Sequence, residues 1–471
     1  MKTLVTFIFA WILVGLCSCK LNPIQPTSAK PSVAMPTNWI GGARDVGSPI
    51  SNWWQQFGSV ELSGLVAEAE KQNPDMQMAA HRIEIADLQE KVARAGRLPT
   101  LDATMAAHRN RMNFVGFPFP GGSISTTHSL NFSSVWELDL WNRIRAGVTS
   151  ATAEAGAVRA DVAAARHSLI AQVVKAWLEL TEAQNQIGLA MANVQLIEST
   201  AERTKTRYER GIGSSLDYRL ALANVQQANA MVEVWRGAMA AARRRVEVLL
   251  GRYPEGKLSG LDALPAMPGA VPAGLPSELL ERRPDIVSRQ FRLLSSDARI
   301  TQVRADLFPR ISLTASGGTT SEELTGLIDT SARVWSLGGN LAAPLFNSGR
   351  LKAVVEQARG QAKLAMLEYQ KTVLLAFGEV ERSLSIEGHL RERESRIAAA
   401  IVESEAALKL AEERYSQGLE PFLVVIEAQR RLLDSRRERV SVRRQQLDNR
   451  VDLHLALGGN FDSQATKEKK K

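Results

Sequence analysis

From Ser129 to Leu140 the chain alternates between apolar and polar residues. Leu130, Phe132, Trp136, Leu138 and Leu140 fall on one side, and Asn131, Ser133, Glu137 and Asp139 on the other. Successive side chains of a strand point to opposite faces, so this period of two predicts a strand with one apolar and one polar face. Residues 101–112 form its partner. Between them lies Asn113–Thr126, which contains Phe117-Pro118-Phe119-Pro120-Gly121-Gly122 and reads as a loop. The pattern returns at Ile311–Ala315 and Val334–Leu345, around a turn near Ser321–Ser331. Two hairpins are expected, at about 101–140 and 311–345, giving four strands.

Elsewhere the period is that of a helix. No proline occurs between Pro120 and Pro254, or between Pro344 and Pro421, and proline costs about 3 kcal/mol inside a helix. The proline-free run from Arg143 to Tyr208 corresponds to roughly 100 Å of helix. Val173, Leu180, Ile187, Val194, Ala201 and Tyr208 recur every seven residues, with Ala176, Ala183, Ala190, Ile197 and Thr204 as a companion row. This is a coiled-coil pattern whose small-residue row allows close approach. Gly211 and Gly213 interrupt it, and a second helix returns from about Ser215 to Leu250. Gly349–Tyr415 and Pro421–Leu457 repeat the arrangement. Pro74 suits the first turn of a shorter helix that ends before Pro99.

These correspondences hold a register. Pro74 matches Pro284 and Pro99 matches Pro309, both at an offset of 210 (284 − 74; 309 − 99). Arg143 matches Arg350, Tyr208 matches Tyr415 and Gly251 matches Gly458, all at 207 (350 − 143; 415 − 208; 458 − 251). So long a register implies one structural unit used twice. The expected organisation is a signal at 1–18, a tether at 19–60, a first repeat at 61–251, a Pro/Gly linker at 252–276, a second repeat at 277–458 and a polar tail at 459–471. The first repeat holds a long helical hairpin at about 142–250, and the second holds one at about 349–457.

Four half-apolar strands pose a closure problem. One apolar and one polar face suit the wall of a transmembrane barrel. Four strands are too few to close one, and an open sheet edge cannot face lipid. Several chains must therefore share the barrel. The long helices are too polar to span lipid and must project into water.

The N-terminus supports a membrane location. Lys2, the apolar run Leu4–Leu16 and the small residues after it read as a secretory signal. Leu16-Cys17-Ser18-Cys19 resembles a bacterial lipobox with Cys19 as the acylated residue; Cys17 as acceptor fits less well. These are the only two cysteines, so cleavage before Cys19 removes any internal disulfide. Acyl chains on Cys19 would anchor the protein, stably if more than one is present. Lys20 follows, where an Asp is absent, as in lipoproteins sorted to the outer membrane. The net charge of +8 is spread along helical segments with interleaved Glu, and the Lys467–Lys471 tail reads as a solvated end. No nucleic-acid site is indicated. The six histidines (His81, His108, His128, His167, His389 and His454) lack metal-ligand spacing. No catalytic motif or phosphate loop is evident. Apart from the lipid on Cys19, no cofactor is expected.

The chain resembles the TolC family of bacterial outer-membrane efflux channels, in its lipoprotein (OprM-like) branch. The resemblance runs from about Trp53 to Asn460. Trp53-Trp54-Gln55-Gln56-Phe57, Asn73-Pro74-Asp75, Trp136-Glu137-Leu138-Asp139-Leu140-Trp141, Pro344-Leu345-Phe346-Asn347-Ser348-Gly349-Arg350 and the paired Arg-Tyr-x-x-Gly segments carry it. It implies a mainly α fold with a small transmembrane β part, in which a homotrimer forms a 12-stranded barrel and a long periplasmic α-barrel. It also implies a periplasmic adaptor, an inner-membrane pump, expected to be proton-driven, and contact with outer-membrane lipid.

The resemblance also assigns residues. The helical tips Arg207–Asp217 and Arg414–Glu427 match those that meet the adaptor and close the periplasmic aperture. Arg207, Gly211, Gly213, Arg414, Gly418 and Glu420 are the expected adaptor contacts, and Tyr208, Tyr415, Asp217 and Glu427 the expected gate. Glu427 holds the place of a constriction acid that is usually Asp, and three copies around a pore would favour cations. A duct for type I protein secretion fits the same sequence. So does a rival from another class, a lipid-anchored coiled-coil scaffold without a pore.

Overall fold

The computed structural model describes residues 39–40, 52–112, 123–269, 271 and 276–459. The signal, Cys19, most of the tether, the first hairpin loop and the polar tail lie outside the described residues. The chain forms eight α-helices and four strands among these residues. In order they are α1 (Val60–Gln72), α2 (Pro74–Ala95), β1 (Thr100–Met112), β2 (Ser123–Leu138), α3 (Arg143–Glu209), α4 (Ser215–Leu249), α5 (Pro276–Arg282), α6 (Pro284–Ala305), β3 (Arg310–Ser321), β4 (Arg333–Ala342), α7 (Arg350–Ser416) and α8 (Phe422–Ala456).

The duplication is exact in length for three of the four helix pairs, the exception being α1 with 13 residues against 7 in α5. α2 and α6 each have 22 residues, α3 and α7 each 67, and α4 and α8 each 35. The helices begin where capping chemistry allows. Asn73 Oδ1 accepts from the backbone N–H groups of Asp75 and Met76 (2.8 and 3.3 Å), and Ser59 Oγ accepts from Leu62 N at 3.1 Å.

The chain divides into two compact units, and both long outgoing helices run through both. One unit holds Glu84–Val158 and Arg289–Tyr369, and contains the sheet. The strands pair antiparallel in the order β1-β2-β3-β4, so the hairpins of the two repeats join along β2 and β3. Below the sheet, Trp141 donates its indole N–H to the Pro309 carbonyl at 2.6 Å and stacks on Phe308. In the same unit, Ser150 Oγ lies 2.9 Å from Ser295 Oγ. Phe291 packs so close to Gly156 that a Cβ there would sit 3.0 Å from its ring.

The second unit holds Arg159–Ser288, the residues from Gln370 on and the segment before Glu84. Its core joins Leu62, Val66, Val173, Trp177, Leu178, Val246, Leu250, Leu447 and Val451. Trp177 and Leu178 are fully buried, and truncating such a Trp costs about 3–5 kcal/mol. The small-residue row of α3 forms the packed seam, with Ala176, Ala183, Ala190, Ile197 and Thr204 all buried. The Val173–Tyr208 row is buried at Val173, Leu180 and Ala201 and reaches the surface at Tyr208.

The structure departs from the sequence reading at the tether boundary. Trp53–Phe57 form a 3-10 turn whose Trp53, Trp54 and Phe57 side chains enter the core of the second unit. Trp39 is also buried, edge-on to Phe377 of α7 at 6.0 Å. Proline and glycine nearby masked this docking, because three isolated aromatics carry no periodicity. The linker is clamped as well. The buried carboxylate of Glu247 accepts from the N–H groups of Gly256 and Lys257 at 2.7 and 2.9 Å, and these bonds lower its pKa against the opposing effect of burial.

Candidate functional site: a membrane wall and two helical tips

Residues directly opposite one another across an antiparallel sheet share a face, so the register sorts every strand residue. One face carries the rows Ala103–Phe132–Gly317–Trp335 and Leu101–Ser134–Ala315–Leu337. Nearer the helices follow Trp136–Leu313–Gly339 and Leu138–Ile311–Leu341. The other face carries Asp102–Ser133–Ser316–Ser336, Thr104–Asn131–Gly318–Val334 and Glu137–Ser312–Asn340.

Among the described residues no element covers the apolar face. Trp335, Leu337 and Leu101 are 78%, 76% and 74% exposed. So contiguous an apolar patch is unfavourable in water and suits lipid. The opposite face, dominated by Ser, Thr, Asn and Gly, suits a water-filled lumen. Among the described residues no helix is long and apolar enough to cross a membrane.

The tips lie in the other unit, and they repeat each other. Gly211 and Gly418 both have φ of 75°, a conformation in which a side chain is strained. The N–H of Gly211 donates to Tyr208 O and that of Ile212 to Arg207 O (2.9 and 3.1 Å). The N–H groups of Gly418 and Leu419 do the same to Tyr415 O and Arg414 O (3.0 and 2.9 Å). Each pair closes the last turn of an outgoing helix and satisfies its free carbonyls. Gly213 has a different reason to be glycine, because a Cβ there would lie 2.9 Å from the Tyr208 nitrogen. Asp217 sits in the first turn of α4, behind the Ser214 cap, where an acid complements the helix dipole.

Arg207 joins the two tips. Its guanidinium lies over the Tyr415 ring at 5.0 Å and donates to the Ser416 carbonyl at 2.9 Å. Tyr208 stacks on Tyr218 at 5.7 Å, Tyr415 packs on Phe422 at 5.2 Å, and Arg414 lies 3.5 Å from Glu420. Burial raises the Tyr415 phenol above its ordinary pKa. Around this latch the tips expose Ile212 and Leu216, and at the equivalent places Leu419 and Leu423.

Glu427 stands in the second turn of α8, and its carboxylate is engaged. Arg430 and Arg431, three and four residues on, reach it at 2.9 and 3.0 Å. The hydrogen bond from Arg431, with that from Arg430, holds its pKa below the usual carboxylate value. Glu427 is therefore not the unpaired constriction acid that the family resemblance alone implies. The pattern Glu427-x-x-Arg430-Arg431 carried the missing signal, since side chains at these spacings meet on a helix. The Arg207 latch had no such signal, because its partner lies two hundred residues away. Among the described residues no group of His, Cys, Asp and Glu could hold a metal ion.

An uncovered apolar sheet face backed by a polar one, with long helices in water, defines a subunit of an outer-membrane channel. Residues 65–252 and 275–459 each match the outer membrane efflux protein family, one match per repeat, and the chain belongs to that family. It is 30% identical to the toluene efflux pump outer membrane protein TtgI of Pseudomonas putida over 475 residues, covering 96% of this chain and 97% of that one. It is 31% identical to the outer membrane protein OprJ of Pseudomonas aeruginosa over 462 residues, covering 96% and 94%. The solved outer-membrane channel OprN superposes with a TM-score of 0.85 at 30% identity, covering 92% and 98%. The protein is thus an outer-membrane component of an efflux system, with a periplasmic helical extension. The family consists of transport ducts rather than enzymes. The scaffold reading gives way to the pore, and efflux is favoured over secretion.

Proposed function

We propose that three copies of this chain close a twelve-stranded barrel, and that the tips receive a periplasmic adaptor and a proton-driven inner-membrane pump. The sheet order carries the reading. β1 and β4 pair on one side only, and their free edges sit on strands whose apolar face is made for lipid. Unpaired backbone groups cannot remain in hydrocarbon, so another chain must pair with each edge. The exposed apolar residues Ile212, Leu216, Leu419 and Leu423 support an adaptor site, because both repeats present the same pair to a partner. Acylation of Cys19 would add an anchor beside the barrel.

Single-channel recording in a planar bilayer tests the pore. Discrete conductance steps are expected, and a protein that binds bilayers without conducting would contradict the reading. Incorporation of labelled fatty acid tests the anchor. Label should vanish in Cys19→Ala, and label retained there but lost in Cys17→Ala would move the anchor to Cys17.

A further inference from the structure

The outward face of the sheet changes character toward the hairpin turns. Above the row that contains Phe132 and Trp335, the same face carries Arg333, paired in register with Thr319, and then Arg109 and Arg111, paired with Thr126 and Ile124. These residues lie at the strand ends remote from the attached helices, and hence at the extracellular side of the wall. All three arginines are exposed. None has an ion pair or hydrogen bond among the described residues, although most arginines of the long helices are paired. The acid nearest Arg109 and Arg111 in sequence, Asp102, lies on the opposite face of β1, and those nearest Arg333 belong to the β3–β4 turn, where Asp329 accepts from Ser331 N at 3.0 Å.

Arginine at the edge of an apolar band can bury its stem against that band and place its guanidinium at headgroup depth. A guanidinium matches phosphate oxygens in bidentate geometry. Trp335, two residues below Arg333 on the same face, is suited to the membrane–water boundary.

We propose that Arg109 and Arg111, neighbours on one face of β1, form a binding site for the phosphate groups of an anionic lipid in the outer leaflet, and that Arg333, at the opposite edge of the sheet on β4, makes a separate contact of the same kind. The site is continuous with the lipid-facing wall, and its charge complements the headgroup. The proposal rests on the placement of this face in the outer membrane. Three lipid-facing arginines per chain would seat anionic lipid around the barrel and fix its depth.

The test uses the purified assembled protein in detergent, titrated with diphosphoryl lipid A and read by native mass spectrometry. Phosphatidylcholine serves as the zwitterionic comparison and inorganic phosphate as competitor. A basic residue at an anionic surface contributes about a fivefold preference, so R109Q/R111Q/R333Q should bind lipid A about twenty-fivefold more weakly at the paired site on β1. Arg236→Gln, on α4, should bind like wild type. Equal affinity of wild type and triple variant overturns the proposal. So does equal affinity of wild type for phosphatidylcholine, and so does displacement of the lipid by millimolar inorganic phosphate, which would mark a site for free anions. If the triple variant does not assemble, each single variant should show its own fivefold loss, and three single variants without loss also overturn it. Conductance of the triple variant separates the two readings: a variant that conducts normally but has lost lipid A leaves the channel intact.

Discussion

The side-chain amide of Asn73 donates to the main-chain carbonyl of Leu249 at 2.9 Å, tying the start of α2 to the end of α4. The second repeat makes the same junction with different chemistry. Arg283 donates to the carbonyl of Ala456 at 3.3 Å, and its guanidinium also holds Asp285 and Glu379. The two junctions fall at the offsets that relate the repeats in sequence. Duplication has kept the contact while the residue that makes it has diverged.

Asn73→Ala removes that bond and the cap that receives Asp75 N and Met76 N. Its site is buried, so the orphaned groups cannot all be rehydrated. A loss of about 1–3 kcal/mol is expected by denaturant unfolding. Arg283→Ala should cost a similar amount, because its partners Asp285 and Glu379 are partly exposed and can regain water. A stability within error of wild type for both variants would show that the junctions are incidental.

Replacing Gly211 or Gly418 by Val forces a branched side chain into positive φ, at a local cost of about 1–2 kcal/mol. A Cβ meets no neighbour at either position, so the effect should be confined to the turn. Hydrogen exchange should rise at the tips only, and crosslinking to the adaptor should fall while membrane insertion stays normal. Unchanged exchange and crosslinking in the double variant would make these turns mere connectors.

Glu427 gives a charge prediction that the helix geometry reverses. With Arg430 and Arg431 in place, each chain presents one carboxylate and two guanidinium groups. Glu427→Gln leaves two unopposed arginines, and three chains would concentrate them at the aperture. Reversal potentials under a salt gradient should shift toward anion selectivity. Glu438→Gln, which frees only Arg393, is the control and should shift less. Identical reversal potentials for Glu427→Gln and wild type would remove Glu427 from the constriction.

His454 is buried, stacked on Trp53 at 5.0 Å, with neither ring nitrogen hydrogen-bonded. Burial, reinforced by the nearby Arg450 charge, lowers its pKa from 6.5 to about 3. The unfolded chain therefore binds a proton below pH 6.5 that the folded chain refuses. Stability from this group is full above pH 6.5 and is lost as pH falls toward 3, by about 2 kcal/mol at pH 5. Asp448 acts oppositely. Burial raises its pKa from 3.8 to about 6, against the lowering effect of Arg444 and Lys175. It costs stability as pH rises from 3.8 to 6. His454→Phe should flatten the acid side of a stability–pH curve, and Asp448→Asn should steepen it. Curves parallel to wild type for both variants would show that neither group titrates differently on folding.

Much of this was legible from periodicity. Alternation at 129–140 placed β2 and its lipid face, because a strand's period is a local property that tertiary contacts did not override. The heptad in α3 and the paired prolines gave both helix lengths and the duplication. What local patterns do not carry depends on residues far apart in sequence. The Arg207 latch on Tyr415 and the docking of Trp53 against His454 leave no local pattern. Both heptad rows line the seam, but only the Ala176–Thr204 row is buried throughout, while the Val173–Tyr208 row reaches the surface at Tyr208. Small residues let neighbouring helices approach along the first of these rows, and tight approach decided which row was covered throughout. The pairing of Glu427 is legible in its spacing to Arg430 and Arg431, three and four residues on along one helix face.

The most direct test of the shared barrel is the mass of the intact complex by native mass spectrometry of the detergent-purified protein. The open edges of β1 and β4 require partner strands, and the account predicts a complex of three chains. A species with one chain that still yields single-channel conductance would contradict it.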